Sequence, residues 1–444
     1  MKIAMIGQKR IPSREGGIEI VVEELGVRMV ERGHQVDCFN RWDDFSSHPP
    51  RSYKGIRMKK VPTPKNPKLN AFVYSVLATL RAMCGGYDVI HYHAEGPCAM
   101  TWIPKLFKKP VVSTIHGLDW QRAKWGGFAT KYLQFGEKQA ALNSDAVIVL
   151  SKAMQDYFLD MHGRDTIYLR NGVSIVPGTA PSLITEKWGL KGDDYILFLA
   201  RIVPEKGLHY LIQAYDQIKT DKKLVVAGGL DDTDYVREIK AMAAGNENII
   251  LADFVTGDLR EELMSNCFLY VLPSDIEGMS ISLLESLSFG VRCLVSDISE
   301  NAEASKEYAN YFNKSDVADL KKKLEYILND RNDFDRAKQI DFVTREYGWD
   351  QVVDETLRIY ETAIAAPKTL KGAHDLSKTN RRIKEIVASI ETLEARRKRS
   401  EIAIMDAMMK GEPLPADDVR FFKHFASEIE ILREELALLR KKEG

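Results

Sequence analysis

The chain has 444 residues, 45% of them hydrophobic and 29% charged, with a formal net charge of -1. That length exceeds one ordinary core and fits two domains with an addition, and the balanced charge excludes a global pull toward nucleic acid or membrane, so any basic surface must be local. Five cysteines, Cys38, Cys84, Cys98, Cys267 and Cys293, stand far apart without zinc or disulfide spacing and read as buried thiols of a reducing compartment.

The opening "MKIAMIGQKR" enters a short apolar run closed by a glycine and shows no leader pattern, which predicts a cytoplasmic protein. Strands are expected at Ile3 to Ile6, Val36 to Phe39, Val89 to Tyr92, Val111 to Thr114 and Ala146 to Leu150, with amphipathic helices between them such as "IEIVVEELGVRMVERG". Alternation of this kind predicts a doubly wound parallel sheet over residues 1–178. The run Arg51 to Lys68 holds seven basic residues and no acidic one, followed by the apolar "LNAFVYSVLATLRAM". It reads either as a solvated loop before a core helix or as a patch that touches an anionic membrane and receives a lipid-linked acceptor. The stretch Ala71 to Leu80 is too short to span a bilayer.

"NGVSIVPGTAPS" is the hinge candidate, and a second α/β series over residues 179–348 begins near Tyr195 with "YILFLARIVPEKG", then "KLVVAGG", "NIILADF", "FLYVLPS" and "VRCLVSD". Two such domains share a cleft beyond the carboxyl ends of their strands. A closing helix is expected over residues 349–366. Beyond it, residues 367–444 are expected to form a helical hairpin of coiled-coil type: Ile383, Ile386, Ile390 and Leu393 on one arm, Phe422, Phe425, Ile429, Leu432, Leu436 and Leu439 on the other, with "KGEPLPADD" as the turn. The hairpin either makes a homo-oligomer, packs on its own chain or docks a partner.

The residues fit for chemistry fall in four stretches. "EGMSISLLE" puts Glu277 and Glu285 on either side of a helix start. If the whole stretch were helical, eight residues would rise about 12 Å, too far for a glycosidase pair and suited to the two ends of an elongated ligand. The amides of Met279, Ser280 and Ile281, with Gly278 before them, offer an anion site at the helix head. A helix cap at Glu277 with a solvated Glu285 is the plainer alternative. "ARIVPEKG" brings Arg201 and Lys206, a pair that can neutralise a diphosphate unless the segment is a surface loop. In "GQKRIPSREGGIE", Gly16 and Gly17 precede a helix and permit backbone approach to an anion, although a plain turn needs no more. The pattern is not GxGxxG, which counts against a dinucleotide oxidoreductase. In "STIHGLDW", His116 and Asp119 follow a strand at the cleft, where an imidazole can meet a sugar hydroxyl or serve structure alone. "DDTD", Asp231 to Asp234, reads as a polar loop opening a helix, and no metal site is assigned.

Together, "GG" before the first helix, R-x4-KG, E-x7-E and the closing helix around Trp349 resemble the retaining family 4 glycosyltransferases of GT-B fold, over Met1 to about Ala366. "RIPSREGGIEIVVEELGVRMVERGHQV" is further similar to rhamnosyl- and related hexosyltransferases of bacterial surface polysaccharides. The resemblance implies that Glu285 binds ribose hydroxyls, Arg201 and Lys206 the diphosphate, Glu277 and the Met279 to Ile281 amides the transferred hexose, Gly16 and Gly17 the donor phosphates, and His116 the donor sugar. Asp119 would lie on the acceptor side. The donor is then a nucleoside diphosphate sugar, with no cofactor, no metal and no nucleic acid, and the acceptor a glycan or lipid-linked sugar at the inner face of the membrane. Arg292 departs from the proline that such chains carry. A non-hydrolysing nucleotide-sugar epimerase, a protein glycosyltransferase and a non-catalytic assembly subunit stay as alternatives.

Overall fold

The computed structural model describes residues 1–46, 49–121, 127–329 and 334–366, and in the tail 386, 389–390, 393–394, 404 and 429–437. Met1–Met154 and Ile167–Ala366 make one compact unit, and Gln155–Thr166 with Pro367–Gly444 the other.

The first unit opens with β1 (Lys2–Ile6), α1 (Gly17–Glu31), β2 (Gln35–Trp42), β3 (Ser52–Tyr53), β4 (Ile56–Pro62), α2 (Pro67–Met83) and β5 (Val89–His93). Then come α3 (Glu95–Cys98), α4 (Trp102–Leu106), β6 (Val111–Ile115), α5 (Gly127–Asn143), β7 (Ala146–Val149), α6 (Lys152–His162) and β8 (Ile167–Tyr168). The strands form one sheet in the order β3-β4-β2-β1-β5-β6-β7-β8, parallel apart from the β3 edge. Their apolar runs are buried because helices cover the sheet, the usual reason a parallel strand reads as continuously hydrophobic. In α1 the buried Val21, Val22, Leu25 and Met29 recur at helical spacing and seat the helix on that sheet.

The second series is α7 (Leu183–Trp188), β9 (Tyr195–Leu199), α8 (Leu208–Tyr215), β10 (Lys223–Ala227), α9 (Asp234–Ala243), β11 (Ile249–Asp253), α10 (Gly257–Ser265) and β12 (Leu269–Leu272). It continues with α11 (Ile281–Ser288), β13 (Arg292–Ser296), α12 (Ser299–Ser305), β14 (Asn310–Phe312), α13 (Val317–Asn329), α14 (Arg336–Glu346) and α15 (Trp349–Ala365). Its sheet has the order β11-β10-β9-β12-β13-β14. Strand order reverses between β1 and β5 in the first sheet and between β9 and β12 in the second. These switch points are where open α/β sheets take ligands.

The hinge stretch is not free-standing. Val173 N–H donates to the Tyr347 carbonyl at 2.8 Å, and Val173 bridges Gly348. From there α15 returns to the first domain, and Trp349, Val353, Leu357 and Tyr360 join its core.

Several expectations need correction. The basic run is not a solvated loop, since β3 and β4 occupy half of it, and Arg57 and Lys59 pair with the buried Asp37 at 2.5 and 3.4 Å. The helix after it, α2, gives only one face to the core: Tyr74, Ala78 and Ala82 are buried, whereas Leu69, Phe72, Leu77 and Leu80 are exposed. Cys84 is exposed too, while the other four thiols are buried. "DDTD" opens a helix as expected: Thr233 caps α9, and Asp232 and Asp234 pair with Arg237.

In the second unit, Ile386 and Leu436 pack with Ile390 and Leu432. Arg433 pairs with Glu394 at 2.7 Å. Ile383, Phe422, Phe425, Leu439 and the "KGEPLPADD" turn lie outside the described residues.

Candidate active site

Two loops leave the second sheet at its switch point. One follows β9 and carries Arg201 and Lys206; the other follows β12 and carries Glu277. Gly207 sits at φ +65 with its Cα against the Pro273 carbonyl, where any Cβ would collide. The loops are thus joined backbone to backbone, and only glycine meets both demands. Lys206 Nζ forms an ion pair with Glu277 Oε1, and both side chains are mostly buried. Ser274 Oγ donates to the same carboxylate oxygen at 2.7 Å. Charge-assisted bonds in a shielded position hold Glu277 in one rotamer.

The helix between the two glutamates begins only at Ile281, so Glu277 stands outside it and does not cap it. The cap is Ser280, whose Oγ accepts from Leu283 N–H at 3.3 Å. Met279 to Ile281 therefore stand at a helix head, the place where a helix leaves amides without intrahelical partners. Four residues further on, Glu285 is not merely solvated. Arg260 of α10 grips it with both terminal nitrogens, Nη1 to Oε1 at 3.1 Å and Nη2 to Oε2. Burial opposes the charge of Arg260, and the Glu285 carboxylate more than offsets this, raising the guanidinium above its ordinary value.

The first domain reaches the same helix head. An added Cβ on Gly278 would strike the His116 carbonyl oxygen, and one on Gly17 would stand 3.5 Å from Ile281 Cδ1. From the hinge, Asn171 N–H donates to Met279 Sδ at 3.2 Å. Lys206, Glu277, Gly278, Met279, Ser280, Ile281, Glu285, His116 and Gly17 thus gather around one helix start. Gly16 precedes α1 as its N-cap residue. Arg201 is exposed in the β9 loop, and Asp119 opens a 3-10 turn, Asp119–Gln121, just past His116. Arg292 begins β13, at the amino end of its strand, with its guanidinium 5.2 Å from the Phe334 ring centroid.

Behind His116 lies a row of buried imidazoles. His93 Nδ1 and His116 Nε2 share a hydrogen bond at 3.1 Å, and the His91 ring lies 4.0 Å from that of His93. His91 meets the Tyr360 hydroxyl through Nδ1 at 2.6 Å and Thr114 Oγ1 through Nε2 at 2.7 Å. Burial, with the His116 charge second, lowers His91 to about 3. Burial drives His93 well below the ordinary value as well. Glu95, at the carboxyl end of β5, is raised by burial first and then by Asp119 and Glu137.

Sequence reasoning missed Arg260, Ser274, His93 and Glu95. Ser274 carried a usable signal, three residues before Glu277 in the same loop; Arg260 carried none. A cavity of about 360 Å³ opens between the β1 loop and the start of α10, lined by Arg10, Arg14, Tyr53, Phe254 and Thr256 among others. It holds none of the residues predicted for the donor.

Comparison with known proteins bears on this geometry. Residues 183–341 match the model for glycosyl transferases group 1, and residues 15–175 the model for glycosyltransferase family 4. An uncharacterized glycosyltransferase of Methanocaldococcus jannaschii is 26% identical over 82% of this chain and 99% of its own. The phosphatidyl-myo-inositol mannosyltransferase of Mycobacterium leprae is 24% identical, covering 81% of this chain and 96% of its own. The structure of HepE from Anabaena in complex with UDP and glucose has a TM-score of 0.67 at 16% identity, over 82% of this chain and 100% of that one. Two parallel sheets facing each other across a loop-lined crevice, matched domain by domain to these models, place the chain among the family 4 glycosyltransferases of GT-B fold.

Proposed function

We propose that the protein moves a hexosyl unit from a nucleoside diphosphate sugar to a saccharide or lipid-linked acceptor, with retention at the anomeric carbon and without a metal ion, in the synthesis of a bacterial surface glycan. What carries this reading is the head of α11, where Lys206, Glu277 and three helix-start residues stand together under the His116 loop.

Breaking the bond from the anomeric carbon to phosphate oxygen builds negative charge on the leaving diphosphate. Arg201, Lys206 and the Met279 to Ile281 amides would meet that charge, and so would stabilise the transition state more than the ground state. Glu277 and His116 would orient the sugar, and Glu285, fixed by Arg260, would hold the ribose hydroxyls. The acceptor oxygen attacks from the face the diphosphate leaves, and its proton passes to the departing phosphate oxygen. HepE, known in complex with UDP and glucose, and the phosphatidyl-myo-inositol mannosyltransferase support a sugar nucleotide donor and a lipid acceptor.

The test is product analysis. Incubated with nucleoside diphosphate sugars and a lipid-linked acceptor, the protein should give a glycoside whose anomeric NMR coupling matches the donor, unaffected by chelator. Lys206→Ala and Arg201→Ala should each lower turnover by on the order of a hundredfold. Inverted product, or donor epimerised with no acceptor present, would overturn the assignment.

A further inference from the structure

Arg41 stands at the carboxyl end of β2, one strand away from the switch point of the first sheet. Its backbone N–H donates to the Lys9 carbonyl at 2.7 Å, which ties it to the loop after β1. The guanidinium is used at one corner. Nη1 donates to Asn70 Oδ1 of α2 at 3.2 Å, and the group lies 4.9 Å from the centroid of the Tyr74 ring. Nε is buried without a hydrogen-bond partner. The residue as a whole is half-buried, so the guanidinium can still be reached.

Neither contact neutralises the charge. Among the described residues no carboxylate forms an ion pair with Arg41; Glu19 and Asp43 act on it from further off, and Glu19 Oε1 already accepts from Lys9 N–H at 2.8 Å. Other half-buried cations of this domain do have such partners, Arg57 on Asp37 and Lys105 on Asp145. A cation withdrawn from water without an anion is costly, and burial lowers the Arg41 guanidinium below its ordinary value. The adjoining strand end has the opposite lack. Gln8, two residues past β1, donates through Nε2 to the Phe39 carbonyl at 3.1 Å and to Asn40 Oδ1 at 3.4 Å, which leaves Oε1 buried without a donor. An unused guanidinium edge matches the paired oxygens of an oxyanion, and an unused amide oxygen matches a hydroxyl. A sugar derivative with an acidic substituent carries both groups.

We propose that Arg41 anchors an oxyanion site in the first domain, for the phosphoryl or carboxylate group of an acidic sugar acceptor. That the ligand is the acceptor rests on the transfer proposed above; that the guanidinium takes an oxyanion does not.

Thermal melts of the full chain test it, with inorganic phosphate, pyrophosphate or acetate titrated at fixed ionic strength. The donor site is first filled with whichever of UDP, GDP and dTDP raises the melting temperature most. Phosphate stands for a sugar phosphate, pyrophosphate for the linker of a lipid-bound sugar and acetate for a sugar acid, so the anion that acts names the source. At least one should raise the melting temperature, and the dissociation constant drawn from that rise should weaken by about tenfold or more in Arg41→Met. Arg41→Lys keeps the charge and loses the flat two-donor edge, so it should weaken binding less while folding as the original does. Phosphate stabilises folded proteins generally, which makes the difference between proteins the quantity that decides. Equal responses in the original protein and both variants would overturn the proposal, as would a lowered melting temperature with an unchanged response, the behaviour of a packing residue. If no nucleoside diphosphate stabilises the chain, the donor reading fails by itself, and the anion titrations still decide for or against Arg41.

Discussion

Arg260 stands to Glu285 as Lys206 stands to Glu277, a cation fixing an acid that would otherwise swing. The difference is geometric. Lys206 offers a point charge, whereas the planar guanidinium of Arg260 meets both carboxylate oxygens and sets the plane of the carboxyl group. If Glu285 binds two ribose hydroxyls, that plane decides donor affinity. Arg260→Gln should raise the donor KM by about tenfold or more with a smaller change in kcat, and should destabilise the fold by on the order of 2 kcal/mol, less than for a wholly dry pair. Arg260→Lys should restore stability better than it restores KM, because one ammonium cannot span both oxygens. Steady-state kinetics with thermal melts decides it: a lowered melting temperature with unchanged KM would make Arg260 a structural residue and no more.

Among elements, α15 ties the two domains together, and its anchoring is sensitive to acid. His91 meets Tyr360 of α15 on one side and Thr114 on the other, and neutral imidazole, with one donor and one acceptor nitrogen, suits that double role. Folded His91 titrates near 3 against 6.5 when exposed. Between those values the unfolded chain binds the extra proton and the folded one does not. Stability is therefore fully present above about pH 6.5 and is lost as pH falls, by about 1.4 kcal/mol per pH unit for each such histidine. His93, also lowered, adds to the slope. Urea midpoints at a series of pH values from 7.5 to 5 should fall, less steeply in His91→Gln; equal slopes would deny His91 this part.

The elements also differ in how openly the sequence declares them. The loop and helix from Glu277 to Glu285 were legible because acids, glycine and serines interrupt an apolar run at fixed intervals, and a helix head needs such residues. The closing helix was legible from its apolar spacing. β4 was not: its inward Ile56, Met58 and Val61 are hidden among the lysines and arginines of an edge strand. α2 is apolar on both sides, so spacing could not say which side faces in. Arg260 lies in "GDLREELMS", a charge pattern of an ordinary surface helix, and its partner is 25 residues away. Pairing over that distance is decided by the sheet that brings α10 beside α11.

For the molecule as a whole, the proposed transfer requires the two switch points to close on one substrate, and the domains approach closely where Gly278 lies under the His116 carbonyl. A Cβ there has no room, and its obstacle is backbone, which cannot swing away as a side chain can. The two chain crossings, Val173 beside Tyr347 and Gly348, lie next to each other and make a narrow hinge, so a small separation at Gly278 becomes a rotation of one domain against the other. If the second domain binds the nucleotide as proposed, Gly278→Ala should therefore leave affinity for a nucleoside diphosphate within a few-fold of the original by calorimetry. It should lower kcat by on the order of a hundredfold, since a displacement of about 1 Å is enough to spoil the alignment of reacting atoms. The two measurements separate closure from nucleotide binding. Equal losses in both would mean that Gly278 serves the nucleotide directly, and full turnover in the variant would mean that the crevice works without this contact.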